Sequence, residues 1–148
     1  MSTNASDEAL LLEQAYGRET ACADDVYLVQ PLGGGKVESY TWKRTMDEAR
    51  RVAAYLKAQD WPPQSKIGFI SKNCAQFFMT ELAIWMAGHV SVAPFPTLSA
   101  DAVRYILEHS EAKMLFVGKL DTWEELKKGV PEGLPLVAYP LAPKNDDK

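Results

Sequence analysis

A chain of 148 residues is about one domain, able to bury roughly 70% of its unfolded surface, and 47% hydrophobic with 24% charged residues is ordinary for a globular protein. The net charge of −4, with Lys and Arg interleaved among Asp and Glu, offers no clustered basic face and argues against nucleic acid as a partner. No stretch approaches the ~18 apolar residues that span a bilayer, which excludes a transmembrane segment and leaves only peripheral membrane contact open.

The N-terminus, MSTNASDEALLLEQAYGRET, lacks a positive leader, and its apolar core is only Ala9 to Leu12. It does not read as a signal peptide, and cytoplasmic residence is the expectation. Cys22 and Cys74 lie in unlike contexts and fit reduced thiols better than a disulfide framework. The organisation expected is an N-terminal, partly helical segment over 1–24, an α/β subdomain over 25–140 and a flexible tail over 141–148.

In chain order, Asp7 to Tyr16 predicts a short amphipathic helix. Val26 to Gln30 and Lys36 to Tyr40 are β-prone runs around Pro31-Leu32-Gly33-Gly34-Gly35, a hairpin signal. The run Gly33-Gly34-Gly35-Lys36 invites a phosphate-loop reading, but Val37 stands where Ser or Thr should follow the Lys, and no helix follows. A turn is the better reading.

Thr41 caps a helix through about Gln59, with Met46, Ala49, Ala53 and Leu56 on one apolar stripe. Lys66 to Ser71 reads as a buried strand. Asn73 is expected to cap the next helix, Cys74 to Ala87, with Gln76 returning the capping bond. That helix is apolar nearly all round, from Phe77 and Phe78 to Trp85 and Met86, so it should be buried on more than one face.

Gly88 ends it, Val90 to Ala93 forms a short strand, and Pro94 and Pro96 stop the strand because they cannot donate to a ladder. Ser99 caps Ala100 to His109, with Ala102, Val103, Ile106 and Leu107 inward. Lys113 to Val117 is a strand. Asp121 with Glu124 predicts a capping box for a helix through Lys128, and Leu134 to Tyr139 is a last strand interrupted by Pro135. Alternation of strands and helices from Lys66 onward predicts a three-layer α/β fold, a mostly parallel sheet with flanking helices, plus the small N-terminal β-hairpin.

Recognisable catalytic chemistry is sparse. There is no G-x-S-x-G elbow and no G-x-G-x-x-G after a strand. His89 and His109 stand apart from both cysteines without metal-ligand spacing, and read as surface or capping histidines. Glu108 and Glu111 bracket a helix end and read as solvated surface. The positions of interest lie at strand C-termini, where ligands sit in open parallel sheets: Ser71, Lys72 and Asn73; Pro94, Phe95, Pro96 and Thr97; and Lys119 after Gly118. Ordinary βα loops are the competing reading. A stand-alone flavodoxin-like or receiver-like ligand-binding module would use the same rim, although Ser71-Lys72 lacks the acidic residues a receiver wants.

Two stretches, YTWKRTMDEARRVAAYLKA (Tyr40 to Ala58) and Ile67 to Asp121, resemble the opening region of adenylate-forming (AMP-binding) acyl-CoA synthetases, most like bacterial long-chain fatty acid–CoA ligases. Thr41-Trp42 matches a helix-opening pair and Lys72-Asn73 a strand-ending pair. Ala87 to Pro96 matches an A-G-x-V-x-V-P-x-x-P turn with Ala93 inserted, and Phe95 stands where long-chain members usually carry Tyr. The resemblance implies a carboxylate attacking the α-phosphate of ATP, then coenzyme A displacing AMP to leave a thioester, with Mg²⁺ required. It also implies that the Ser/Thr/Gly-rich loop, the metal-binding Glu, the ribose-binding Asp and the catalytic Lys all lie beyond this region. The expectation is therefore an N-terminal fragment of a fatty acid–CoA ligase, inert alone. It carries no catalytic residue, metal or cofactor of its own, and its partners are the remainder of the parent enzyme with fatty acid, ATP and CoA.

Overall fold

Four parallel strands form the centre of the structure, a computed structural model that describes residues 10–143. The elements in order are α1 (Leu11–Ala21), β1 (Val26–Gly33), β2 (Lys36–Thr41), α2 (Trp42–Lys57), β3 (Lys66–Ile70), α3 (Ala75–Met86), β4 (Val90–Val92), α4 (Ala100–His109), β5 (Leu115–Val117), α5 (Trp123–Leu126), a 3-10 turn (Lys127–Gly129) and β6 (Leu136–Ala138). The sheet order is β4-β3-β5-β6, and β1 and β2 pair antiparallel as a separate hairpin. The expected α/β class, parallel sheet and hairpin are all present.

β3 and β5 are apolar on both sides because both faces of the sheet are covered. Ile67, Phe69 and Phe116 point to one face, against Leu56 of α2 and Ile84 of α3. Ile70, Leu115 and Val117 point to the other, against Val103 and Leu107 of α4 and Trp123 and Leu126 of α5. Gly68 lets α4 come close: a Cβ there would stand 3.0 Å from Leu107 Cδ2. The α2 stripe is buried as its spacing predicts, with Met46, Ala49 and Ala53 packed on Leu82 and Ala83 of α3 and on Ala15 of α1.

In the hairpin turn, Gly33, Gly34 and Gly35 have φ of 87, 57 and 75°, a backbone that side-chain-bearing residues rarely adopt. The glycines make a turn between strands, not a phosphate cradle.

Several local expectations are corrected. The first helix runs Leu11–Ala21, five residues past Tyr16, opened by the Leu10 N–H donating to Glu13 Oε2 at 3.0 Å; the Asp7–Ala9 part of the expectation lies outside the described residues. Asn73 does not cap α3. Its place is taken by Gln30 of β1, whose buried Oε1 accepts from the Ala75 N–H at 2.8 Å, while Gln76 turns its Nε2 to Tyr40 Oη at 3.3 Å. The helix α3 is buried on more than one face as expected, with Ile84 toward the sheet and Leu82 and Ala83 toward α2, while Phe78 stands on its outer side.

Asp121 does not begin a capping box either. It pairs with Lys72 across the sheet end, and the helix it was expected to open shrinks to Trp123–Leu126. His89 is buried, not on the surface. Its N–H is held by Ile84 O, its ring lies 6.2 Å from that of Trp61, and Nδ1 has no partner. Burial holds its pKa below the usual 6.5. His109 remains exposed, stacked on Tyr105 one turn back.

Candidate functional site

From β3 the chain goes to β4 on one side and then crosses to β5 on the other, so the strand order reverses between β3 and β5. In such sheets the crevice beyond that reversal is the natural place for a ligand. Ser71, Lys72 and Asn73 leave β3 there, and Gly118, Lys119 and Asp121 leave β5.

The crevice is laced by the chain itself. Ser71 is buried, and its Oγ donates to Lys72 O at 2.6 Å and accepts from the Lys119 N–H at 3.0 Å. Lys72 N–H donates to Lys119 O at 2.8 Å, and the Lys72 ammonium pairs with Asp121. Gly118 fits only because it has no side chain. A Cβ there would lie 2.2 Å from Ser71 Oγ and 2.6 Å from the Tyr139 ring.

On the α4 side of this lacing lies a hollow of about 570 Å³, whose wall includes Lys72, Pro96, Thr97, Ser99, Asp121 and Thr122. The structure thus brings Lys72, Pro96 and Thr97 together at one hollow. Ser71 and Lys119 meet inside the lacing. Pro94 is buried, whereas Phe95 points outward and is 74% exposed. Asn73 faces away, into a small recess against Leu28 to Pro31 of the hairpin.

A second hollow, about 450 Å³, opens where the hairpin, α2 and α3 meet the end of β6. Its walls mix apolar Val52, Met79, Phe116 and Leu141 with polar Tyr40, Arg44, Gln76, Thr80 and Tyr139. The Arg44 guanidinium lies 4.2 Å from the centre of the Tyr40 ring and donates to Glu38 Oε1 at 2.6 Å. That bond holds the Glu38 carboxyl below its usual range. Burial pushes the Tyr40 phenol up, with the Glu38 carboxylate adding to the effect. Burial likewise pushes Tyr139 up, and its hydroxyl finds no partner in hydrogen-bonding geometry although Thr80 lies beside it.

Reasoning from strand ends does not reach this second hollow. One signal points to it: Gln30 alternates with Leu28 on the inward face of β1, and a buried amide needs a partner.

A nucleotide site needs donors for the phosphates, and its Mg²⁺ takes only one or two protein carboxylates beside the phosphate oxygens and water. Among the described residues no three His, Cys, Asp or Glu come together as a metal site, and the triple glycine is used in the hairpin turn. Among the described residues no helix is long and apolar enough to cross a membrane.

Residues 13–145 match the family described as AMP-binding enzyme. Long chain acyl-CoA synthetase 1 of Arabidopsis thaliana is 32% identical over 85 residues, which are 55% of this chain and 13% of that protein. The peroxisomal acetate/butyrate–CoA ligase AAE7 of the same plant is 30% identical over 78 residues, 53% of this chain and 14% of that one. Among solved structures, the fatty acid AMP ligase from Legionella pneumophila superposes with a TM-score of 0.70 at 16% identity, over 93% of this chain and 24% of that one; this shows the shared fold. The chain thus spans about one seventh of the curated relatives it matches. With the match extending over nearly all of its described residues, the chain belongs to the AMP-binding enzyme family.

Proposed function

We propose that this chain is the N-terminal lobe of an ATP-dependent fatty acid–CoA ligase acting on long acyl chains, and that the lobe alone does not catalyse. The observation that carries the reading is a family match over 13–145 in a chain that spans only about one seventh of the acyl-CoA ligases it is similar to. The name of one relative, a long chain acyl-CoA synthetase, supports the acyl class; another is named for acetate and butyrate, so chain length is the finer part of the proposal.

In this reading ATP, Mg²⁺ and CoA are bound mainly by polypeptide outside the lobe. The rim of Lys72, Pro96 and Thr97 forms one bank of the boundary with it, and Ser71 and Lys119 hold that bank in shape. The strand order at the crevice is also that of flavodoxin-like modules, but Ser71, Lys119 and the Lys72–Asp121 pair bond to one another at the switch point, which disfavours a stand-alone ligand site between those strand ends.

Carboxylate-dependent ATP–pyrophosphate exchange tests the reading. The purified chain with acetate, butyrate or palmitate should give no exchange above a no-protein blank. Exchange with any of the three would overturn the proposed incompetence. In a full-length ligase that contains this lobe, palmitate should be favoured over butyrate, and the reverse order would overturn the long-chain assignment.

A further inference from the structure

No further inference is drawn: the strongest candidate, the cleft between the hairpin, α2, α3 and the end of β6, has its unpartnered Gln76 Oε1 sealed beneath the wall without accessible surface, and nothing in the structure shows what covers its open side.

Discussion

The crevice at the ends of β3 and β5 and the cleft beside the hairpin use similar polar groups in different ways. In the crevice a serine hydroxyl, two backbone amides and an ion pair satisfy one another, so the point between β3 and β5 is occupied by the protein's own bonds and the hollow of about 570 Å³ lies to its α4 side. In the cleft, Gln30 is spent on capping α3 and Gln76 on Tyr40, and these links hold the hairpin beside the sheet while leaving a hollow of about 450 Å³. A strand-order rule locates where backbone ends converge, but only the side chains decide whether room remains. The polar groups at a strand end have to be hydrogen-bonded, and where the chain supplies the partners those groups are no longer free for a ligand.

The harshest way to break the contrast is Gly118→Ala, because the new Cβ would strike Ser71 in the crevice and Tyr139 at the cleft wall together. Both neighbours are buried, and Ser71 is held in place by its bonds to Lys72 O and the Lys119 N–H. The expected loss is about 3 kcal/mol in urea unfolding. A loss under ~1 kcal/mol would show that the crevice is loosely packed. Gln30→Ala should come next, at about 1–2 kcal/mol, since it uncaps α3 and leaves the buried Ala75 N–H without an acceptor. Slower amide exchange in the first turn of α3 than in the parent would contradict that role.

The parallel sheet was legible because β3 and β5 are short apolar runs, each preceded by an amphipathic helix, α2 and α4, a pattern that burial of the strands on both faces explains. The α2 stripe was legible for the same reason. Caps at Thr41 and Ser99 followed from local chemistry, and both hydroxyls accept the expected amide, from Arg44 and Ala102. The caps expected at Asn73 and Asp121 failed because a distant residue competed. Gln30 lies 45 positions from Ala75 and Lys72 lies 49 from Asp121, separations that no local rule sees. His89 misled in a similar way: a histidine after a helix-ending glycine reads as exposed, and it is the packing near Trp61 that covers it.

A more discriminating probe of the crevice is Ser71→Ala. The side chain loses one oxygen and little volume, but the Lys119 amide loses its acceptor and Lys72 O loses a donor. Because Lys72 N–H still reaches Lys119 O, the strand ends should stay together, and the cost should be about 1 kcal/mol, less than for Gln30→Ala. A cost equal to that of Gly118→Ala would mean that the hydroxyl, not close packing, closes the crevice.

The mildest change separates the lacing from its ornament. Lys72 and Asp121 form an ion pair over the same crevice, yet their side chains are 46% and 66% exposed, so water and salt screen the attraction and both chains must be held still to make it. Asp121→Asn should therefore move the unfolding free energy by less than ~0.5 kcal/mol, with no greater difference from the parent at low salt than at 0.5 M beyond that margin. If instead it cost as much as Ser71→Ala, the exposed pair would be closing the crevice. Stability would then rest at that point on charge, which added salt would weaken, rather than on the buried serine, which salt leaves alone.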